Sequence, residues 1–259
     1  MNINKDEKKA IFELLTSCNL NCAHCFYKTL QKFCPSNFLS KKKVFILIRK
    51  MAKNKIDKLV LTGGEPTLHP DFIEISKYAM SKLAKVTVCT NGFIKNRQLE
   101  EDIIKLNFST YTVSIDSHIE GVHNEFRGNK NAFKKTIAFI KRLKLNNKNI
   151  SIHITIYPGN IRYIDRTIAF CRKFSNEIVV STVYHDRLVV GGKNKEYNQK
   201  LNFFKKKYLK DQNIILVGFA QYCKNKNCLN QKNIFMVNAK GELVDCYWKK
   251  NGGLVKGKY

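Results

Sequence analysis

The chain has 259 residues and a mass of 30.0 kDa, and 44% of its residues are hydrophobic, which is enough for one sizeable folded core. No uninterrupted apolar run approaches the ~20 residues of a membrane span, and the first residues lack the apolar segment of a signal peptide, so we expect a cytoplasmic protein. The formal net charge of +27 comes mainly from lysines scattered along the whole chain, a pattern that favours a solvated surface or an acidic partner over nucleic acid, for which clustered arginines and aromatic residues are typical.

Apolar, β-rich runs alternate with stretches of helical periodicity, a pattern typical of repeated βα units and a parallel sheet. Ser40 is expected to cap the first of the helices. Its buried face would carry Val44, Leu47, Ile48 and Met51, and a second helical stripe contains Phe133, Ile137, Ile140 and Leu143. The six predicted strands lie near 9–16, 57–62, 85–90, 110–116, 149–157 and 177–184.

Six such units fill the chain to about residue 210. A complete eight-unit barrel takes roughly 250 residues, which would leave no room for an extension. The sequence therefore predicts an α/β fold, a partial (β/α)6 TIM-type barrel over residues 1–210. A small C-terminal extension with a β-hairpin is predicted over residues 211–259.

Three cysteines follow the first strand in the spacing Cys-x3-Cys-x2-Cys: Cys18, Cys22 and Cys25. The total of nine cysteines is odd, and in a chain of this size it favours reduced thiols and metal ligation over disulfides. A structural zinc site and an ordinary 4Fe–4S cube each need four protein ligands, so three cysteines predict one open metal position. A zinc site completed by His24 or Cys34, and a chance cluster of cysteines, remain as alternatives.

The segment 13–27 that contains these cysteines resembles the cluster loop of the radical S-adenosylmethionine (SAM) superfamily. In that family three thiolates hold three irons of a 4Fe–4S cluster, and SAM chelates the fourth. The resemblance implies reductive cleavage of SAM to a 5'-deoxyadenosyl radical that abstracts a hydrogen atom from substrate. It also implies the partial barrel, with the cluster loop at the carboxyl end of the first strand.

Gly63, Gly64 and Glu65 follow the second strand. Paired glycines let a backbone approach a ligand closely, although a tight βα turn explains them as well. The segment resembles the GGE motif of the family, and the resemblance implies that these residues receive the ammonium group of SAM.

The third strand ends in 90–92, Thr-Asn-Gly, which is similar to peptide-modifying members of the family. Ser114 and Asp116 end the fourth strand and Arg127 follows, a pattern that resembles SPASM-type enzymes, in which the serine and the arginine bind the SAM carboxylate. Arginine suits that role because its planar fork of donors matches a carboxylate. The alternatives are a surface salt bridge for Arg127 and a strand-end cap for Asp116, while Asp116 and His123 are also candidates for groups that face the substrate.

The tail carries Cys223 and Cys228, then two short β runs around the turn 238–241, and then Cys246. This arrangement resembles the start of a SPASM or twitch domain, which holds an auxiliary 4Fe–4S cluster. Because no cysteine follows Cys246, a complete two-cluster domain is not expected. An auxiliary cluster with an open iron, one with a ligand other than cysteine, and a degenerate tail with zinc or no metal are the three alternatives.

The sequence therefore predicts a radical SAM enzyme with a shortened auxiliary-cluster region. Its first candidate substrate is a ribosomal peptide, and its second is a sugar or another small polar metabolite. An acidic electron donor such as flavodoxin or ferredoxin would suit the positive charge of the chain. The alternative from another class is a non-catalytic protein that binds zinc and nucleic acid. No motif assigns the catalytic residues that act on substrate.

Overall fold

A computed structural model describes residues 8–25, 38–182, 195–217, 234–244 and 255–258. Two short 3-10 helices, Pro66–Leu68 and Ile161–Tyr163, lie within these ranges. The strands are β1 (Lys9–Glu13), β2 (Lys58–Thr62), β3 (Lys85–Thr90), β4 (Thr110–Ser114), β5 (Ile150–Ile156), β6 (Glu177–Thr182), β7 (Ile214–Val217), β8 (Ile234–Val237), β9 (Glu242–Val244) and β10 (Val255–Lys258). The α-helices are α1 (Lys41–Lys53), α2 (Phe72–Lys82), α3 (Arg97–Lys105), α4 (Glu120–Arg127), α5 (Ala132–Leu145), α6 (Ile164–Cys171) and α7 (Lys195–Tyr208).

The ten strands form one sheet in the order β10-β9-β8-β1-β2-β3-β4-β5-β6-β7. All neighbours from β8 to β7 in this order are parallel, while β9 and β10 pair antiparallel at one edge. Strands β1 to β6 are adjacent in chain order, and helices connect them. The α/β fold and all six predicted strands are confirmed.

The two faces of the sheet differ in polarity. One face packs against the helices and is apolar, and its members include Leu61, Val88 and Val113, which are fully buried. Alternate residues point the other way, because side chains along a strand alternate between faces. We call the side away from the helices the inner face. On β2 to β6 it carries two valines, Val60 and Val179, and its polar members include Thr62, Cys89, Thr112, Ser114, Ser151, His153, Thr155 and Ser181.

Helix α1 forms as its sequence predicts. The Ser40 side chain accepts a hydrogen bond from the Lys43 backbone N–H at 3.4 Å, which satisfies a donor that the first helical turn leaves unpaired. The predicted apolar face is the buried one: Val44, Leu47, Ile48 and Met51.

Helix α5 is rotated relative to its predicted stripe. Ile140 and Leu143 are buried as expected, whereas Phe133 and Ile137 are only half-buried. Thr136 is buried in their place, because its hydroxyl donates to the Asn91 carbonyl oxygen at 2.8 Å and turns that side of the helix toward β3.

The predicted hairpin is confirmed, with Met236 opposite Val244 and a turn closed by the Gly241 N–H on the Asn238 carbonyl oxygen at 2.7 Å. Gly241 has φ +78°, a conformation that favours glycine. The sheet extends further than predicted, because β7 pairs with β6 beyond residue 210 and β8 pairs with β1. None of the helices in the described ranges is long and apolar enough to cross a membrane.

Candidate active site

The cysteine loop leaves β1 and packs directly on the segment that follows β2. The Gly64 N–H donates to the Leu15 carbonyl oxygen at 2.7 Å, and the Glu65 N–H donates to that of Ser17 at 2.9 Å. A Cβ atom on Gly64 would lie 2.1 Å from the Ser17 carbonyl oxygen, and one on Gly63, where φ is +141°, would lie 2.4 Å from that of Leu15. The close approach that the paired glycines permit is therefore between the two loops themselves.

A third glycine holds the opposite side of the same loop. The Asn21 N–H donates to the Arg127 carbonyl oxygen at 3.1 Å, and the Ala23 N–H donates to that of Phe126 at 2.8 Å. Gly128, at φ +64°, ends helix α4, and a Cβ atom there would lie 2.4 Å from the Asn21 carbonyl oxygen. Main-chain contacts on both sides thus fix the path of residues 15–23.

Nitrogen donors surround the sulfur atoms of two cysteines. The Leu20 backbone N–H lies 3.5 Å from Cys18 Sγ, and the Asn91 side-chain amide lies 3.6 Å from the same atom. Arg127 Nη1 lies 3.9 Å from Cys22 Sγ. Donors in these positions stabilise negative charge on sulfur, which is the form that binds a metal.

Burial opposes ionisation of both thiols in the absence of a metal. It raises the pKa of Cys18 to about 11, and it raises the pKa of Cys22 despite the nearby positive charge of Arg127. A bound cation is what makes such buried thiolates stable, so the two cysteines are suited to metal ligation and not to free nucleophilic chemistry.

The loop offers three thiols as metal ligands. Tetrahedral zinc, with Zn–S bonds of about 2.3 Å, needs its sulfur ligands within about 4 Å of one another. Among residues that the structure describes, no three His, Cys, Asp or Glu side chains are arranged around one such ion. The charges of Cys22 and Cys25 both act on Cys18, so the three thiols lie near one another, and three thiolates are the donor set that binds three irons of a 4Fe–4S cluster.

Glu65 is fully buried and joins the end of β2 to the end of β3. Its Oε1 accepts from Thr67 Oγ1 at 2.7 Å and from Thr90 Oγ1 at 2.8 Å, and its Oε2 accepts from the Asn91 N–H at 2.8 Å. Burial raises the pKa of Glu65, while these hydrogen bonds act to lower it. Glu65 therefore orients Asn91, whose side chain contacts Cys18.

Arg127 is buried and forms an ion pair with Asp116, so it is not a surface salt bridge. Arg127 Nε donates to Asp116 Oδ2 at 2.5 Å, and the two side chains are 8% and 0% exposed. Asp116 Oδ1 accepts from the Thr155 N–H at 2.9 Å. Burial alone would raise the pKa of Asp116, but the charge and hydrogen bond of Arg127 lower it to about 2. Asp116 is fully buried and fixes the guanidinium beside Cys22.

Ser114 and His123 occupy different places around this ion pair. Ser114 is the last residue of β4, is half-buried, and stands in register with His153 on the inner face. His123 lies in α4, where its Nδ1 accepts from the Asp116 N–H at 3.2 Å and its ring packs edge-on to Phe133. His123 therefore belongs to the packing of α4 on α5 and not to the inner face.

Other parts of the site were not singled out from the sequence. Asn91 Nδ2 contacts Cys18 and also donates to Asn19 Oδ1 at 2.9 Å. The Thr-Asn-Gly motif is the sequence feature that could have identified Asn91 as part of the site. The Phe126 ring stacks on the rings of Tyr157 and His24, with centroid distances of 3.7 Å and 4.3 Å. No local pattern indicates this stack, because its rings come from distant parts of the chain.

Four cysteines of the sequence analysis lie outside the described residues. They are Cys34 and the three candidate auxiliary ligands Cys223, Cys228 and Cys246.

The sequence matches the family model described as Radical SAM superfamily over residues 12–171, more than half of the chain. The AdoMet-dependent heme synthase of Methanosarcina barkeri (strain Fusaro / DSM 804) is 30% identical over 162 residues, which cover 62% of this chain and 46% of that protein. The antilisterial bacteriocin subtilosin biosynthesis protein AlbA of Bacillus subtilis (strain 168) is 32% identical over 158 residues, 59% of this chain and 34% of AlbA. The chain spans less than half the length of these curated relatives.

The fold is similar to that of solved structures as well. The crystal structure of Streptococcus suis SuiB bound to precursor peptide SuiA superposes with a TM-score of 0.71 at 16% identity, covering 93% of this chain and 59% of SuiB. At this low identity the likeness concerns the fold alone, and it confirms the barrel-type architecture.

Proposed function

This chain belongs to the radical SAM superfamily, and we propose that it is an enzyme that cleaves SAM reductively and abstracts a hydrogen atom from a substrate. The observation that carries the proposal is the loop of Cys18, Cys22 and Cys25, which fits a 4Fe–4S cluster and is clamped between two glycine-bearing segments. When bound and reduced, such a cluster supplies the single electron that breaks a C–S bond of SAM, which yields methionine and a 5'-deoxyadenosyl radical.

The residues around the loop would hold and orient SAM. Arg127 and Ser114 bind its carboxylate in this proposal, and the ion pair with Asp116 keeps the guanidinium in place while Nη1 stays beside Cys22. Among the described residues no cation contacts Glu65, so its buried negative charge, at the segment that begins with Gly63 and Gly64, attracts the ammonium group of SAM.

We propose a peptide as the substrate. Two similarities support this choice: AlbA is a bacteriocin biosynthesis protein by name, and SuiB was solved with its precursor peptide. A sugar or another small polar metabolite is the second candidate, and the polar inner face favours it, since hydroxyl groups and His153 line β4 to β6. The zinc- and nucleic-acid-binding alternative has no support from the family match.

We also propose an electron donor, a cellular compartment and a role for the tail cysteines. An acidic flavodoxin or ferredoxin would donate the electron, because a chain of net charge +27 attracts an acidic partner. A reducing cytoplasm would keep the nine cysteines out of disulfides, so that they stay available for metal ligation. Cys223, Cys228 and Cys246 would hold an auxiliary cluster in a tail that begins near residue 211.

The test is anaerobic reconstitution with iron and sulfide, followed by reduction in the presence of SAM. We expect brown protein, acid-labile sulfide equal to iron, and release of 5'-deoxyadenosine. Cys22→Ala should abolish that release, whereas Cys171→Ala, a matched loss of a buried cysteine in α6, should retain it. Colourless protein with stoichiometric zinc, or unchanged release from Cys22→Ala, would contradict the proposal. Deuterated peptides and sugars, scored by label in 5'-deoxyadenosine, then distinguish the two substrate classes.

A further inference from the structure

His153 and Ser181 form an isolated polar pair on the inner face. His153 Nε2 lies 2.9 Å from Ser181 Oγ, between neighbouring strands β5 and β6. Neither side chain makes another hydrogen bond within the described part of the chain. Ser181 is 5% exposed, while His153 is half-buried, so the rest of its ring is open to the space inside the sheet.

The pair fixes the proton on one nitrogen of the ring. Ser181 is buried, and its hydroxyl hydrogen finds one acceptor among the described residues, His153 Nε2. A buried hydroxyl that kept its hydrogen unpaired would cost free energy, so Ser181 donates and Nε2 accepts. Burial lowers the pKa of His153 to about 4, so the ring is neutral near pH 7. The proton of the neutral ring then sits on Nδ1, which becomes a hydrogen-bond donor without an acceptor among the described residues.

The donor stands next to the groups proposed to bind SAM. His153 is in register with Ser114, and the charges of Asp116 and Arg127 both act on its ring. On the same face of β5, the Ser151 hydroxyl is buried and has no hydrogen-bond partner among the described residues. This stretch of β5 therefore has two polar groups whose hydrogen-bonding capacity is not met by the part of the protein described.

We propose that His153 is a positioning residue for SAM, and that its Nδ1–H donates a hydrogen bond to the cosubstrate carboxylate beside Ser114 and Arg127. The proposal rests on the function proposed above. Ser181 acts through His153, since its hydroxyl selects the tautomer and holds the ring plane. A ribose hydroxyl of SAM could accept the same hydrogen bond. Competition by fragments of SAM distinguishes the carboxylate from the ribose.

The tautomer can be read without cofactor or substrate. Histidine labelled with 15N in the full chain gives separate signals for Nδ1 and Nε2, and His153→Asn identifies the signals of this residue. We expect Nδ1 to carry the proton in the wild type and the two tautomers to mix in Ser181→Ala. Protonation of Nε2 in the wild type would overturn the proposal.

Amide replacements separate the role of Nδ1 from that of Nε2. The amide of asparagine lies where Nδ1 lies in histidine, whereas the amide of glutamine reaches the position of Nε2. Binding of radiolabelled SAM to the reconstituted, oxidised protein is measured by equilibrium dialysis. We expect His153→Phe and His153→Gln to weaken binding about tenfold, as loss of one hydrogen bond to a carboxylate implies, and His153→Asn to restore most of it.

A second histidine provides the matched control. His118 also pairs with a hydroxyl, since its Nδ1 lies 3.1 Å from Thr167 Oγ1. Thr167 is on helix α6, so this pair lies outside the inner face. His118→Phe should leave SAM binding unchanged. Equal binding by the wild type and His153→Phe, rescue by glutamine instead of asparagine, or a wild type that does not bind SAM would each refute the assignment.

Competition with fragments of SAM identifies the acceptor oxygen. Methionine carries the carboxylate, whereas 5'-deoxyadenosine carries the ribose. If His153→Phe weakens methionine competition alone, the carboxylate assignment holds; if it weakens 5'-deoxyadenosine alone, the assignment is wrong. Protein that binds SAM without releasing 5'-deoxyadenosine contradicts the proposed function, while the asparagine and glutamine variants still decide the role of His153.

Discussion

Different kinds of interaction hold the two sides of the candidate site. On the side of β1 and β2 the cysteine loop is held by main-chain hydrogen bonds, and the residues that matter are glycines with no room for a side chain. On the side of β4 and α4 main-chain hydrogen bonds also reach the loop, but a buried ion pair, Arg127 with Asp116, is added to them. We therefore expect the side of β1 and β2 to be disrupted by an added side-chain atom, and the side of β4 and α4 to be disrupted by removal of a charge.

Gly64→Ala should have the largest effect. The added Cβ would meet the Ser17 carbonyl oxygen at 2.1 Å, which is backbone and cannot rotate away, so the cysteine loop must move. We expect iron bound after reconstitution to fall about tenfold, because misplaced thiolates cannot share one cluster. The measurement is iron and sulfide per chain.

Gly121→Ala is the matched control for that change. Gly121 lies in α4, and nothing stands within 4 Å of an added Cβ. Alanine at an open helical position should stabilise the fold by about 0.5 to 1 kcal/mol and leave iron binding intact. Equal iron loss in both variants would show that the close packing of Gly64 is not the cause.

Asp116→Asn should destabilise the fold by about 3 to 5 kcal/mol, because it leaves the buried guanidinium of Arg127 without a counter-charge. The free energy of unfolding in urea measures this. Asp165→Asn removes the charge of the exposed pair with Lys207, at 2.9 Å, and leaves an amide oxygen to accept from the Tyr208 hydroxyl, which donates to Asp165 Oδ1 at 2.7 Å, so it should cost much less than Asp116→Asn. Similar losses in the two variants would contradict the difference between buried and exposed pairs.

The same ion pair predicts a dependence of stability on pH. The pKa of Asp116 is lowered to about 2 in the folded chain, against about 3.9 in an unfolded one. Its stabilisation, on the order of 2 kcal/mol, is therefore complete above about pH 4 and is lost as the pH falls toward about 2. The wild type should lose more stability than Asp116→Asn over this interval. Parallel curves for the two proteins would assign the acid loss to other carboxyl groups.

Thr90→Val should have the smallest effect of the series. It removes the 2.8 Å hydrogen bond to Glu65 Oε1 and the one that Thr90 Oγ1 accepts from the Gly92 N–H at 3.1 Å, but it keeps the shape of the side chain and the other bonds of the carboxylate. We expect a loss of about 1 to 2 kcal/mol, with iron binding retained. An iron loss as large as that of Gly64→Ala would show that the side-chain network, and not the glycine contact, holds the loop.

The same contrast explains what the sequence predicts and what it does not. Glycine and cysteine have few roles, so the loop at 18–25 and the segment at 63–65 could be predicted. The six strands could be predicted from their apolar, β-rich runs. The pairing of β8 with β1 was not, because a run of four apolar residues carries no information on its neighbour in the sheet. The partner of Arg127 and the tautomer of His153 depend on which side chains meet across strands, and no spacing along the chain encodes that.

The central proposal is that three cysteines leave one iron of the cluster without a protein ligand, so that SAM binds there. The most direct measurement is electron paramagnetic resonance of the reduced, reconstituted protein before and after SAM is added, with the tail cysteines Cys223, Cys228 and Cys246 replaced by alanine so that one cluster gives the signal. We predict that SAM changes the g-values of that signal. A spectrum that is the same with and without SAM would contradict the open iron.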